Sequence, residues 1–332
     1  MNKKVLSLLL VLILPTVILT GCKAGVNSQQ TETQTQTETD KASDSKRLKI
    51  VCTLFPQYDF VRSIVGDRAD VTLLLPPGAD SHSYEPTPAD MITVASADLF
   101  VYIGDEMESW AHSIIKTIKG GDVAILNVSQ ALGLKLEVHK HEHDQEQHGH
   151  GEEESVDPHI WTNPVFAAQM VDIISSSICG LDEGNSIFFK DNADKYRYEI
   201  LKLSNEFRDI VSKAEIKKIY FADEFALSAF AEEYGLEHLA AFDSCGENAE
   251  ASASKIAQII DEIHKNKIPV IFYPELTVSK EAKLISSETG ARMLQFHSCH
   301  NISSADFAAG ETYISLMKAN AENLSIALGL AK

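Results

Sequence analysis

Short apolar runs alternate along most of the chain with segments in which apolar residues return every third or fourth position, and Gly, Pro and polar clusters separate them. Leu48 to Phe55 reads as a buried strand, and Tyr58 to Val65 as an amphipathic helix closed by Gly66. Val71 to Leu75 is a strand stopped by Pro76-Pro77-Gly78. Pro88 to Ala97 is helical, Leu99 to Ile103 a strand, Ser109 to Ile118 a helix and Val123 to Val128 a strand. Pro164 to Cys179 suits a helix that starts on proline and ends at Gly180. Asn185 to Lys213 carries no Gly or Pro and repeats Phe188, Tyr196, Ile200, Leu203, Phe207 and Val211 at helical spacing, which predicts one long helix. The alternation then resumes with strands Lys217 to Phe221, His238 to Phe242, Pro269 to Tyr273 and Arg292 to Phe296. Between and after them come helices Phe225 to Tyr234, Ala253 to Asn266 and Lys280 to Thr289, and one closing helix from Phe307 to Leu328. Strands alternating with helices build parallel sheets. The expected fold is α/β with two lobes, each a mainly parallel sheet flanked by helices, joined by one long linker helix. The boundaries are 47–184 for the N-terminal lobe, 185–213 for the linker helix and 214–332 for the C-terminal lobe.

The first 46 residues follow another pattern. Lys3 and Lys4 precede an apolar run from Val5 to Leu14, interrupted at Pro15 and short of the roughly 20 residues a membrane span needs. A charged start, an apolar centre and small residues mark residues 1–21 as a signal peptide. Leu19-Thr20-Gly21-Cys22 resembles the bacterial lipobox, which implies that Cys22 is lipidated and becomes the mature N-terminus. Each buried acyl methylene contributes about 0.8 kcal/mol, so several chains anchor firmly where one does not. The expected location is the extracytoplasmic face of the cell membrane, held by lipid on Cys22. Residues 22–46 are Thr, Gln, Glu, Ser and Asp with almost no large apolar side chain, a composition that cannot bury a core, so they read as a disordered linker. No other segment is read as long and apolar enough to cross a membrane.

A net charge of −19 disfavours nucleic acid and anionic lipid surfaces as partners and mildly favours cations. Beyond Cys22 the cysteines are Cys52, Cys179, Cys245 and Cys299, too scattered for a zinc ribbon or a small disulfide scaffold. Cys245 and Cys299 fall in two loops of the C-terminal lobe and are expected to approach each other near the cleft, either as a disulfide or as two reduced thiols.

Ligands in α/β sheets bind beyond the carboxyl ends of strands, and the chemistry-bearing side chains fall there. His82 lies in the proline-punctuated loop after the second strand, and His159 in Asp157-Pro158-His159-Ile160-Trp161, directly before a helix. Asp157 is placed to orient the His159 ring through its second nitrogen. Glu224 follows a strand of the C-terminal lobe and His297 ends its last strand. Each position alone is weak, since a lone loop histidine is usually a solvated side chain. Two from each lobe make a set of imidazoles and a carboxylate that meets the tetrahedral preference of zinc. Such a site needs neutral histidines, so its affinity is expected to fall as pH drops below about 6. A separate run, His139, His141, His143, His148 and His150 among carboxylates, lies in an exposed loop at 139–150 and reads as a low-affinity metal store.

The segments Pro76 to Pro86, Asp157 to Pro164, Tyr220 to Leu236 and Arg292 to Ser303, with Ala309-Gly310-Glu311-Thr312-Tyr313, resemble the metal-binding lipoproteins of zinc and manganese ABC transporters (solute-binding family 9, zinc-uptake type). The resemblance runs from Leu48 to the C-terminus with the motifs in order. It implies ligands at His82 and His159, a third at Glu224 by counting back from Tyr234-Gly235-Leu236, and a fourth at His297. Asp223 is the register alternative to Glu224, and His300 the alternative to His297. It further implies a monomeric carrier that gives its metal to an ABC permease, with zinc favoured by the histidine-rich loop and by three histidines beside one carboxylate. Manganese is the alternative metal. An extracellular zinc hydrolase is the rival from the enzyme class, but the chain has neither a His-Glu-x-x-His helix nor a nucleophile elbow. Cell adhesion, described for some surface members of the resembled family, is the remaining reading.

Overall fold

The computed structural model describes residues 47–81, 83–134, 157–242, 253–276 and 280–331. The expected signal peptide, Cys22, the linker, His82, the histidine-rich loop and Cys245 lie outside the described residues.

The first sheet takes strands β1 (Leu48–Cys52), β2 (Ala69–Leu73), β3 (Leu99–Tyr102) and β4 (Ala124–Asn127), with helices α1 (Phe55–Val65), α2 (Pro88–Ala95), α3 (Ala111–Ile118) and a short α4 (Val128–Ala131) between and after them. The second takes β5 (Lys218–Glu224), β6 (Glu237–Phe242), β7 (Val270–Tyr273) and β8 (Arg292–Gln295), with α7 (Ser228–Tyr234), α8 (Ala253–Asn266) and α9 (Lys280–Thr289). Both sheets are parallel throughout, in the orders β2-β1-β3-β4 and β6-β5-β7-β8. The two halves therefore repeat one topology. Helix α5 (Pro164–Leu181) closes the first half, and α6 (Ser186–Lys213) is the expected long connection, 28 residues without a break. At about 1.5 Å per residue it spans roughly 42 Å.

One hydrophobic cluster runs through both halves. It joins Ile50, Phe60, Val101 and Trp161 to Phe207, Phe221, Phe272, Phe296 and Leu324, with Phe189, Ile200 and Leu203 of α6 inside it. Edge-on aromatic pairs such as Phe207–Phe230 and Phe272–Phe296 fill its C-terminal part. The lobes are thus two sheets on a shared core, which a flexible tether would not provide.

Two expectations are corrected. Helix α5 is long and apolar enough, at a mean hydropathy of 1.4, to pass as a membrane span, yet half of it is buried within the protein, and Ala167, Met170, Val171 and Ile174 pack into the core. The closing helix is two: α10 (Ser304–Ala309) stops at Gly310, and α11 (Tyr313–Ala327) starts afresh. Gly310 sits at φ 79°, a left-handed C-cap, and Thr312 and Ser315 close a reciprocal capping box on α11. An apolar period that continues across both helices hides that break from the sequence.

Candidate metal site

The loops that follow β2, β5, β7 and β8 converge around a cleft of roughly 340 Å³, and the turn before α5 meets it where His159 and Trp161 pack on His300. From the N-terminal half it is lined by Gly78 to Ser81, and from the C-terminal half by Asp223, Glu224, Glu275, Ser298, His300 and Asn301.

His159 is fixed by the residue two positions before it. Asp157-Pro158-His159 forms a side-chain turn in which the His159 N–H donates to Asp157 Oδ1 at 2.7 Å, and ring Nδ1 lies 2.7 Å from the same oxygen. Burial alone would raise the Asp157 carboxyl, but the His159 charge and hydrogen bonds, with the Ser228 hydroxyl, outweigh it and hold the group below the usual carboxylate range. With Nδ1 committed to Asp157, Nε2 is the nitrogen that His159 can present to a metal.

Glu224 ends β5, beyond a register shift between Phe221 and Glu224 where the strand carries one more residue than its partner β6. A bulge of this kind re-aims side chains. Here it leaves both Asp223 and Glu224 on the wall of the cleft.

The end of β8 departs from the sequence expectation. His297 is buried and, like His159, absent from the cleft wall, which at this strand end takes in Phe296, Ser298, His300 and Asn301. Its Nδ1 accepts the Cys299 N–H at 2.8 Å. A ring that accepts there carries its proton on Nε2, and that atom has no lone pair for a metal. The structure instead brings His300 to His159: their rings lie 5.1 Å apart, edge-on, and His300 also packs on Trp161. The cause is backbone geometry. Cys299 has φ 60°, a left-handed residue that breaks the side-to-side alternation on which the assignment to His297 depends.

His82 is not described, but its neighbour Ser81 places its hydroxyl 2.6 Å from His300 Nε2. Ser81 is itself held by the Trp110 indole N–H, which donates to its carbonyl at 3.1 Å. Asn301 ties the same loop across the cleft, donating to the carbonyls of Pro76 (2.9 Å) and Ala79 (2.6 Å). Among the described residues no three His, Cys, Asp or Glu side chains stand close enough to hold a metal by themselves. Cys299 carries a free, buried thiol, and its suggested partner Cys245 lies outside the described residues. Burial pushes the Cys299 thiol well above its ordinary range, so it is no ready thiolate ligand.

Sequence reasoning missed Glu275 and Asn301. Glu275 follows β7, and the rule that loops after strands carry function would have reached it. It accepts the Ser298 N–H at 2.7 Å and the Ser298 hydroxyl.

Comparison with known proteins gives the family. The model of the periplasmic zinc-uptake complex component A family, ZnuA, matches residues 50–327. The high-affinity zinc uptake system protein ZnuA of Bacillus subtilis is 33% identical over 289 residues, covering 86% of this chain and 90% of that one. The zinc-binding lipoprotein AdcA of Streptococcus pneumoniae is 31% identical over 284 residues, covering 86% of this chain but 56% of its own length. The Zn(II)-bound crystal structure of the ZnuA-like domain of that AdcA superposes with a TM-score of 0.69 at 28% identity, covering 85% of this chain and 99% of the domain.

Proposed function

The chain belongs to the periplasmic zinc-uptake complex component A family, and we propose that it captures Zn2+ in the cleft between its two sheets and delivers it to an ABC permease. One observation carries the reading: the His159 and His300 imidazoles, from the two halves of the chain, stand 5.1 Å apart beside a cleft that Glu224 lines. His82 follows Ser81, whose hydroxyl already touches the His300 ring, and it completes a set of three imidazoles and one carboxylate. Nitrogen-rich donors of this number suit tetrahedral zinc, whereas manganese prefers more oxygen. The assigned ligands are therefore His82, His159, Glu224 and His300, with His300 in the place that the sequence offered to His297.

In this reading residues 1–21 are removed, Cys22 carries the lipid, and the body from residue 47 works outside the cytoplasmic membrane. The zinc-uptake and lipoprotein names of the relatives support that location and the permease as partner. Four protein donors leave no open position for an activated water, so the protein is a carrier. Residues 139–150 act as a weaker, separate zinc store.

The test is competition. Equal zinc and manganese are offered to the purified mature chain, and retained metal is measured after gel filtration. Zinc is expected on the wild type, and His159→Ala should lose it. Preferential retention of manganese would overturn the choice of metal, and undiminished zinc on His159→Ala would overturn the site.

A further inference from the structure

We propose that His297 is a positioning residue: by accepting the Cys299 N–H it holds Cys299 in a left-handed turn, and that turn aims His300 into the cleft. The inference rests on the ligand set proposed above, in which His300 is the fourth ligand.

Cys299 at φ 60° occupies a region that L residues other than Gly, Asn and Asp rarely adopt. Something must hold it there. Its N–H donates to His297 Nδ1, two residues back, at 2.8 Å. This is the bond with which an Asn or Asp side chain closes a turn on its own backbone, here made by an imidazole. His297 is anchored for the task. Its N–H donates to Asn320 Oδ1 and its carbonyl accepts from Asn320 Nδ2, both at 2.7 Å, so α11 grips its backbone from both sides. Its Nε2 is buried and meets no hydrogen-bond partner among the described residues.

The other arm of the turn is fixed as well. Glu275 accepts from the Ser298 N–H and hydroxyl, Ser298 Oγ accepts the His300 N–H at 3.2 Å, and the Trp161 indole donates to the Ser298 carbonyl at 2.8 Å. An extended residue at 299 would carry the chain onward along β8. The left-handed one folds it so that the His300 ring meets both His159 and Ser81. His297 thus shapes the site without touching the metal.

The experiment measures zinc affinity by competition with a chromophoric chelator, on folded mature chain, for four variants. His297→Leu removes the acceptor and is expected to weaken binding about tenfold, the size of the left-handed penalty. His297→Asn restores a turn-closing oxygen and should recover most of that loss. Adding Cys299→Gly to His297→Leu should also recover it, because glycine takes a positive φ without help. His297→Gln, too long to close the bond two residues on, should resemble the leucine variant. Wild-type affinity in His297→Leu overturns the proposal. So do equal losses in the Asn and Gln variants, or the lack of recovery by glycine, which are the results a direct ligand or a mere packing role would give. His300→Ala, measured alongside, separates the two ideas. If it binds zinc normally, the ligand set is wrong; if it fails while His297→Leu does not, only the turn is wrong.

Discussion

Removing the carboxylate behind His159 tests how far the cleft depends on preorganised ligands. Asp157 is 15 % exposed and His159 1 %, so the bond between them is made in a nearly dry place and is little screened. Asp157→Ala deletes two contacts of 2.7 Å, one to the backbone N–H and one to the ring. The ring then loses the acceptor that sets its tautomer, and the turn over Pro158 loses its clasp. Losing an outer partner of a metal-bound histidine costs about 10- to 100-fold in affinity. That is about 1.4–2.8 kcal/mol at 1.4 kcal/mol per decade. Asp157→Asn keeps an oxygen for the same two donors but surrenders the charge, so its loss should fall at or below the lower end. Chelator competition at pH 7 gives both values, and thermal unfolding of the metal-stripped protein shows what part of any change is loss of fold. Unchanged affinity in Asp157→Ala, within about threefold, while His159→Ala binds poorly, would refute the argument that Asp157 prepares the ligand.

Two further outcomes follow from buried polar groups. Glu108 is fully buried beneath the ends of β1 and β3, where it accepts the N–H groups of Ile103 and Gly104 and the Thr53 hydroxyl, and burial pushes its carboxyl up to about 7. The folded state then holds a proton that the unfolded chain releases near pH 4.5, so stability falls as pH rises from there to about 7. About 1.4 kcal/mol per unit makes the fall about 3 kcal/mol, and denaturant titrations of Glu108→Gln should lack it; the same slope in the variant would reassign it to other groups. Asn301→Ala strips two carbonyls in a part-buried place, those of Pro76 and Ala79, of their donor. It should lower unfolding free energy by about 1–3 kcal/mol and weaken zinc binding with it, since the loop that leads to His82 is released. Lost stability with unaltered zinc affinity would show that this brace serves the fold alone.

Fold class was legible because both halves obey one rule. Buried parallel strands are short apolar runs, and the helices that cover them show their own period, so the alternation survives even where boundaries slip. The slips have local causes. Phe55, read as the end of β1, is the first residue of α1, since Pro56 suits the start of a helix better than a strand. The site was legible up to parity. Glu224 follows from its position at a strand end and lines the cleft, and His159 follows from its position before a helix and packs on His300, which lines it too. His297 and His300 are three residues apart, and alternation in an extended segment offered no view of the left-handed residue between them. Nor does any residue type announce that residue, because cysteine is not one that favours a positive φ.

The bracing of the cleft also bears on how metal enters it. Two lobes that closed on a ligand by a wide hinge would need separate cores and a crossing that bends. Here Phe207 and Leu203 of α6 sit in the same apolar cluster as Ile50 on one side and Phe272 on the other, so opening the lobes would expose surface that both share. Loops on the two sides are bonded as well, from Gly78 N–H to the Ile302 carbonyl at 2.8 Å and from Asn301 to Pro76 and Ala79. By contrast the contact between Ser81 and His300 is one hydroxyl on one imidazole nitrogen, which a metal with a stronger claim on that nitrogen can displace. In the reading proposed above, a metal on His300 would replace that hydroxyl contact with no movement of either sheet. The free energy of binding is then spent on a few side chains rather than on moving a lobe.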